Sequence, residues 1–333
     1  MKKVWKGVIL AMLLSAIFVV VKNECGRYLM CHANSGVQPL ITASKNGRYQ
    51  DGINLFAGSS MFRKGLEIHT LESRFGENTY ILSYNGTCPF QLYEEVRYAV
   101  NKNVIINHLY VDLYAFSLAN DPWVEDSRLF LDTDFSFKIE LWKCMSAYSD
   151  NYLKNLWEMF VTANNDRLWC WPVDYAITNA QFYKGGYLLD DAGNGVSSAT
   201  KTPKIPKIEV AQINSCQELY LRKLCALCRE ENISLTFLET PKYQTTAYSA
   251  YYVSLMRAYL DILNEEGVDY ILSEDSAKTC AKEVTETENC VAVIAFDSSI
   301  PLYYMDEIHL SGEGRRSFSH SLVNAYDEKV EQD

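Results

Sequence analysis

Basic residues are the minority charge in this 333-residue sequence, with 31 lysines and arginines against 42 aspartates and glutamates. The formal net charge of -11 argues against a face on the folded part that binds nucleic acid or an anionic membrane. An internal repeat and a long low-complexity tract are also lacking. Apolar residues make up 48% of the chain and aromatic residues 13%, which is enough for a sizeable core. We therefore expect a globular protein of one large domain or two small ones.

The N-terminus lacks a cleavage site of the small-x-small type, although it resembles an export signal. Lys2, Lys3 and Lys6 precede an uninterrupted apolar run from Gly7 to Val21, GVILAMLLSAIFVVV. Basic residues followed by an apolar run are typical of export or anchoring signals. We therefore expect residues 1–22 to form an uncleaved anchor of marginal length, with the chain from about residue 23 outside the membrane. A core helix is the alternative interpretation.

The ten cysteines are scattered rather than ordered. Outside the membrane some could pair, and Cys280 with Cys290 would close a small loop. Cys225 and Cys228 share one face of a predicted helix. A metal site would need two further ligands nearby, and none is evident, so core positions are favoured for this pair.

Apolar runs of strand length alternate with longer amphipathic segments, which predicts a parallel sheet with helices on both faces. The strand-like runs are INLFAG, TYILSYNG, VIINHLYVDLYAF, SLTFLETP and VDYILSED. Between the first two, MFRKGLEIHTLESRF reads as one helix, and a last helix is expected in SGEGRRSFSHSLVNAYDEKV. The sequence therefore predicts an α/β domain over residues 53–333, preceded by a linker and entry segment over residues 23–52.

Residues 118–207 interrupt this alternation with aromatic-rich helical stretches and a part rich in Gly, Ser, Thr and Pro. We expect a helical and irregular insertion at the end of a sheet strand, where insertions often shape a substrate pocket. Its tryptophans could form a carbohydrate platform, although core positions are the commoner role for such residues. These tryptophans are Trp123, Trp142, Trp157, Trp169 and Trp171.

Two polar motifs follow the first two predicted strands, at the sheet edge where open α/β folds bind ligands. Gly58-Ser59-Ser60 could present a nucleophilic hydroxyl on a tight turn, but a helix N-cap is the simpler explanation. Asn85-Gly86 offers an amide donor and an unshielded backbone N–H, and it could equally be an ordinary turn. Asn85-Gly86-Thr87 is also a glycosylation sequon.

Histidine is scarce, with five residues in the chain, and one of them lies in a suggestive context. Asp306 and His309 are three residues apart, just before the last predicted helix. A histidine base needs a carboxylate on Nδ1, and an Asp-x-x-His loop can supply both groups. His69, His108 and His320 lie within predicted helices or strands, where a structural role fits better.

The blocks FAGSS, Asn-Gly and DEIHLSGEG together resemble the SGNH (GDSL-like) hydrolase superfamily. The branch they resemble most is extracytoplasmic and membrane-anchored, and includes the teichoic-acid D-alanyl transfer and alginate O-acetylation proteins. The resemblance covers residues 53–117 and 208–330 approximately. It implies a flavodoxin-like three-layer sandwich with a mainly parallel central sheet.

The resemblance also implies roles for individual residues. Ser60 would be the nucleophile, His309 the general base and Asp306 its partner, with Asn85 and Gly86 as oxyanion-hole donors. The family's third block, Gly-x-Asn-Asp after the third strand, has no clean counterpart here. Asn120 is the nearest candidate and is kept in reserve for that donor.

The function implied by the resemblance is that of a serine esterase or O-acyltransferase acting on acyl esters of cell-envelope or secreted glycans. Neither a cofactor nor a metal is implied. The expected partners are an acylated glycan or polymer, the membrane and a membrane-bound acyltransferase, with no nucleic acid. A catalytically inactive binding or scaffold protein with the same fold is the alternative. A zinc or redox protein built on Cys225 and Cys228 is a more distant one.

Overall fold

A computed structural model of the protein describes residues 2–31, 36–126, 128–149, 152–163, 183–184, 187–188, 212–285 and 287–330. The strands are β1 (Ile53–Gly58), β2 (Thr79–Ser83), β3 (Ile106–Asp112), β4 (Tyr183–Lys184), β5 (Tyr187–Leu188), β6 (Ser234–Leu238), β7 (Asp269–Ser273) and β8 (Cys290–Ile294). A single sheet contains six of them in the order β2-β1-β3-β6-β7-β8, and every neighbouring pair in it is parallel. The remaining two, β4 and β5, form a short antiparallel pair.

The helices precede, connect and follow these strands. They are α1 (Lys2–Met30), α2 (Val37–Lys45), α3 (Ser60–Gly65), α4 (Ile68–Phe75), α5 (Pro89–Asn101), α6 (Leu129–Asp132), α7 (Phe135–Tyr148), α8 (Tyr152–Ala163), α9 (Ser215–Glu230), α10 (Gln244–Ala247), α11 (Ala250–Glu266), α12 (Glu274–Thr279), α13 (Ala281–Thr285) and α14 (Gly312–Val330). Two short 3₁₀ segments span Ala115–Ala119 and Pro301–Tyr303.

Alternating side chains of the sheet face two separate hydrophobic clusters. In β1, Leu55 and Ala57 belong to one cluster and Phe56 to the other, as the two-residue period of a strand requires. The first cluster also contains buried residues of α2, α5, α9 and α11, and the second contains residues of α4 and α14. Helices therefore cover both faces, and the architecture is consistent with the predicted flavodoxin-like three-layer sandwich.

The predicted strand runs contain β1, β2, β3, β6 and β7, whereas β8 is not predicted. Among the described strands β8 pairs with β7 alone, at the edge of the sheet, and Val293 within it is 43% exposed. The single helix predicted after β1 is also broken in two. Leu66 adopts extended dihedrals (φ -115°, ψ 141°) and ends α3, so Leu66 and Glu67 separate α3 from α4.

The order of the strands places a crevice beside β1. The chain passes from β1 to β2 on one side, and then crosses to β3 on the other side of β1. Open α/β sheets bind ligands outside the carboxyl ends of the strands at such a reversal. The residues that directly follow β1, β2 and β3 therefore converge at one place.

The N-terminal segment differs from the expectation. The sequence predicts an anchor over residues 1–22; a long helix is present there, and no helix among the described residues is long and apolar enough to cross a membrane. α1 does not end at residue 22 but continues to Met30, which is buried. Arg27 Nη2 lies 3.4 Å from the Thr133 carbonyl oxygen, which it contacts as a donor. Within the predicted linker, α2 buries Val37, Leu40 and Ile41 in the first cluster.

The cysteine predictions have mixed outcomes. Cys280 and Cys290 are both free thiols, so the possible disulfide between them is not formed. Cys280 is buried in the first cluster, whereas Cys290 is only partly buried at the start of β8. Cys225 and Cys228 are buried in that same cluster on α9, which confirms their assignment to the core.

The predicted tryptophan platform is described only in part. Trp142 and Trp157 are 49% and 66% exposed, and Trp123 is partly buried. Trp142 Nε1 donates to the Tyr152 hydroxyl at 2.7 Å. Trp169 and Trp171 lie outside the described residues.

A group of buried acids lies behind the loop that follows β2. Asp132 is fully buried and accepts hydrogen bonds from the Tyr84 hydroxyl at 2.5 Å and the Gln38 N–H at 3.2 Å. Burial raises the pKa of Asp132 to about 7, against the opposing effect of those hydrogen bonds and of the Arg128 charge. Burial also raises the pKa of Glu95 well above its ordinary value, and neither oxygen of this carboxyl bonds to a described residue. These carboxyls therefore favour their neutral forms in the folded protein.

The raised pKa of Asp132 predicts that the folded state loses stability as the pH rises. Below about pH 4 both states hold the proton, whereas between about pH 4 and 7 only the unfolded carboxyl ionises, which favours unfolding by roughly 4 kcal/mol. Asp132→Asn removes this loss, so urea unfolding should show the variant gaining about that much relative to the wild type between pH 4 and 8.

A matched control is Asp134→Asn. Burial opposes the ionisation of Asp134, but hydrogen bonds from Ser136 and Phe137 outweigh burial and lower its pKa. Its charge therefore stabilises the folded state above about pH 4, and the variant should lose relative stability as the pH rises. A difference between Asp132→Asn and the wild type that does not vary with pH would contradict the prediction.

Candidate active site

The turn after β1 separates the roles of two adjacent serines. Ser59 is the N-cap of α3, and its hydroxyl accepts a hydrogen bond from the Met61 N–H at 3.1 Å. Ser60 is the first residue of α3 and is partly exposed. Its Oγ lies 2.8 Å from His309 Nε2, although 249 residues separate the two in sequence. The capping role therefore belongs to Ser59, and the Ser60 hydroxyl is available to react.

The loop before α14 carries both other members of this constellation. Main-chain bonds close the loop, because the Met305 N–H donates to the His309 carbonyl at 2.8 Å and the Ser311 N–H donates to the Tyr303 carbonyl at 2.8 Å. Asp306 Oδ2 lies 2.8 Å from His309 Nδ1. The other carboxyl oxygen accepts from the N–H groups of Ile308 and His309, at 2.9 and 2.8 Å. Both oxygens of Asp306 are thus engaged in orienting the histidine.

The electrostatics of Asp306 determine the protonation pattern of the histidine ring. Burial opposes the ionisation of Asp306, but the hydrogen bond and charge of His309 and the two backbone donors outweigh it and lower the pKa. An ionised carboxylate can only accept, so His309 Nδ1 carries the proton of the neutral ring. Nε2 is then the acceptor that faces Ser60. This is the arrangement that removes a proton from a serine hydroxyl.

The loop after β2 brings hydrogen-bond donors to the same place. Arg63 Nη2 donates to Asn85 Oδ1 at 2.5 Å, which leaves the Asn85 Nδ2 group as the free end of the amide. The Asn85 N–H is used elsewhere, since it donates to Asp126 Oδ2 at 3.0 Å. Gly86 has φ +62°, and its N–H donates to no backbone or side-chain acceptor among the described residues. The available donors are therefore the Asn85 side chain and the Gly86 N–H.

A cavity of about 410 Å³ connects these groups. Ser60, Asn85, Gly86, Asp306 and His309 all line it, so the structure brings together every predicted site residue except the reserve. Asn120 does not line the cavity; it is exposed at the end of a 3₁₀ segment, where its carbonyl accepts from Gln217. The other lining residues are Arg63, Lys64, Tyr114, Glu125, Met305 and Ile308.

A buried carboxylate at the end of β3 holds the turn that bears Ser60. Asp112 Oδ2 accepts from the Ser59 N–H at 3.2 Å and from the Ser59 hydroxyl at 2.5 Å. Burial raises the pKa of Asp112, against the opposing effects of the Lys242 charge and of the bonds from Ser59. Lys242 is itself buried, and its ammonium donates to Thr240. The serine turn is therefore tied to the neighbouring strand.

Sequence reasoning does not identify Arg63, Asp112 or Tyr114 as site residues. Arg63 lies one helical turn after Ser60 on α3, and this spacing is the one signal that could have identified it. Asp112 and Tyr114 occur where the family's third block is expected, but neither is the asparagine of that block. Among the described residues, no group of three or more His, Cys, Asp or Glu side chains is placed to hold a metal ion.

The position of the Asp306–His309 loop depends on a close approach by Gly314. A Cβ on this residue would overlap the Tyr303 carbonyl oxygen, the atom that also closes the loop by accepting from Ser311. Gly314→Ala must therefore displace the loop or the first turn of α14, and we expect a loss of about 1–3 kcal/mol in the free energy of unfolding, measured in urea.

Gly7→Ala is the control for this substitution. Gly7 also lies in a helix, but a Cβ there would meet nothing within 4 Å. We expect no loss of stability, since alanine is the better helix former by up to about 1 kcal/mol. An unchanged unfolding curve for Gly314→Ala would show that the approach to Tyr303 is not a constraint.

Comparison with known proteins does not assign the chain to a family. No protein-family model matches the chain, and no curated protein is significantly similar to it. The assignment of chemistry to the cavity therefore depends on the arrangement of its own residues.

Proposed function

We propose that the protein is a serine esterase or O-acyltransferase of the SGNH type. The observation that carries this proposal is the chain of contacts from Ser60 Oγ to His309 Nε2 and from His309 Nδ1 to Asp306, each 2.8 Å long, at the edge of one cavity. An activated serine nucleophile requires a histidine base within hydrogen-bond distance and a third group, here an aspartate, that orients the histidine.

In the first step, Ser60 Oγ bonds to the acyl carbonyl carbon while its proton passes to His309 Nε2. The carbonyl oxygen becomes an oxyanion, which the Ser60 N–H, the Gly86 N–H and the Asn85 amide stabilise. When the intermediate collapses, His309 returns the proton to the departing alcohol and the acyl group stays on Ser60. Asp306 remains ionised throughout and stabilises the imidazolium.

In the second step, His309 removes a proton from water or from an acceptor hydroxyl, whose oxygen bonds to the acyl carbon. The bond from that carbon to Ser60 Oγ then breaks, and His309 returns the proton to Ser60. Water gives the free acid and makes the protein an esterase, whereas a sugar or polyol hydroxyl gives a new ester and makes it an O-acyltransferase. Glycan esters outside the cytoplasm are the proposed substrates. This location and substrate class are supported by the basic and then apolar N-terminal sequence and by the family resemblance.

The alternative, a catalytically inactive scaffold, would have an unreactive Ser60 hydroxyl. A fluorophosphonate probe should label the wild-type protein and fail to label Ser60→Ala. Ser146→Ala is the control, because it removes an exposed hydroxyl on α7 that does not line the cavity, and it should keep wild-type labelling. A wild-type protein that is not labelled, or a Ser60→Ala variant that is labelled equally, would favour the scaffold.

Arg63 offers a second test, because its contact with Asn85 predicts that it acts through that amide. Asn85→Ala, which removes the amide, should lower kcat for p-nitrophenyl acetate by about 10²-fold, the usual effect of losing one oxyanion donor. Arg63→Gln should lower kcat by roughly 10-fold, since Asn85 then loses the bond that orients it.

The decisive comparison is the double variant. If Arg63 only positions Asn85, Arg63→Gln combined with Asn85→Ala should be no slower than Asn85→Ala alone. Multiplicative losses would show instead that Arg63 acts on the substrate independently of Asn85.

A further inference from the structure

The end of β3 contributes to the cavity a side chain, Tyr114, that has no role in the mechanism proposed above. β1 leads to Ser60 and β2 leads to Asn85 and Gly86, whereas β3 is followed by Leu113 and Tyr114. Leu113 is fully buried and apolar, so it offers no hydrogen bond to a ligand. Tyr114 lines the cavity together with Ser60 and His309. It is the polar group that this strand end presents to the cavity.

The backbone and the ring of Tyr114 are both held in place. Its N–H donates to the Asp112 carbonyl at 2.9 Å, and its carbonyl accepts from the Ser117 N–H at 2.9 Å and hydroxyl at 2.6 Å. The ring packs edge-on to Phe116, with centroids 5.7 Å apart, and Lys242 Nζ lies 5.9 Å from the ring centroid. A side chain fixed in this way needs little reorganisation to bind a ligand.

The hydroxyl of Tyr114 is not used within the protein. No described residue forms a hydrogen bond with it, and the side chain is partly exposed. A hydroxyl that borders a polar cavity and bonds to no protein group is available to a bound molecule.

Burial and the negative charges around the Tyr114 hydroxyl keep it protonated. Burial, followed by the carboxylates of Asp112, Glu125 and Asp306, raises the pKa of Tyr114. The group therefore stays protonated beyond the usual range of tyrosine and acts as a donor. Glu125 is also the side chain that a Cβ on Gly86 would overlap, so the surroundings of the phenol include the loop that carries the other oxyanion donors.

We propose that the Tyr114 hydroxyl donates a hydrogen bond to the oxyanion that forms when Ser60 attacks the acyl carbonyl. This makes Tyr114 a catalytic residue and supplies from β3 the donor that the sequence lacks in its third block. The inference rests on the proposed function, because an oxyanion forms only if Ser60 is a nucleophile. It extends that function by adding a neutral phenolic donor to the donors of the loop after β2.

The test is Tyr114→Phe, which removes the hydroxyl and keeps the ring that packs on Phe116. For p-nitrophenyl acetate we expect kcat to fall by about 10²-fold with KM unchanged, because the lost interaction occurs in the transition state. The dissociation constant of an aryl trifluoromethyl ketone, which forms an anionic hemiketal on a reactive serine, should rise by a similar factor. A merely structural role would not change both quantities together.

Tyr259→Phe is the matched control. Like Tyr114, Tyr259 has a hydroxyl without a partner among the described residues, but it is buried on α11 and does not line the cavity. Its kcat and its affinity for the ketone should equal those of the wild type.

The outcomes distinguish the two proposals. A wild-type kcat for Tyr114→Phe, or a rise in KM alone, would overturn the role of Tyr114 and leave the Ser60 mechanism standing. A wild-type protein that neither hydrolyses the ester nor binds the ketone would overturn the proposed function, and the role of Tyr114 with it. A parallel loss of kcat and ketone affinity in Tyr114→Phe alone would support the inference.

Discussion

The double hydrogen bond between Ser59 and Asp112 is the interaction on which the geometry of the site depends. It joins the turn after β1 to the end of β3, so that the sheet itself sets the direction in which Ser60 leaves the strand. Burial of a carboxylate is costly unless bonds or charges compensate it. Ser59 and the charge of Lys242 offset part of this cost, since Asp112 Oδ1 has no hydrogen-bond partner among the described residues and the pKa of Asp112 is still raised. Lys242 in turn donates to Thr240 after β6. Three strand ends are thus linked through one buried group.

The rest of the site lies on two loops, each of which is held in place by hydrogen bonds to other protein groups. The loop with Asp306 and His309 is closed by main-chain bonds to Tyr303 and Met305, and the loop with Asn85 is bound to Asp126. Asp126 is paired with the buried Arg128 at 2.6 Å. The loop that carries Asn85 is therefore supported by Asp126 and Arg128, which do not line the cavity. Such support is what holds reacting atoms at hydrogen-bond distance before a substrate arrives.

The sequence predicts those parts of the fold and the site that depend on local pattern. Five buried strands are apolar runs bounded by turn residues, and Asp306 and His309 lie in one short segment, so both can be recognised without a structure. The edge strand β8 has a partly exposed face and lacks the same signal. Asp112 and Tyr114 acquire their positions only when separate strand ends meet, and no spacing in the chain encodes that meeting, whereas Arg63 follows Ser60 by three residues on the same helix. Hydropathy places the end of the first helix near residue 22, where the apolar run stops. The helix in fact continues through polar residues to Met30, because polar residues do not by themselves end a helix.

The placement of Asn85 has a practical consequence for how the protein is produced. Asn85-Gly86-Thr87 is an acceptor sequence for N-linked sugars, and the Asn85 amide lies in the wall of the cavity, bound to Arg63. Thr87 is buried, with its hydroxyl bonded to the Tyr84 carbonyl at 3.0 Å. A chain that enters a eukaryotic secretory pathway would receive a branched oligosaccharide on the nitrogen that the site needs, and the sugar would fill the space beside Ser60. Expression hosts that do not glycosylate asparagine are therefore the ones suited to obtaining the protein with an open cavity.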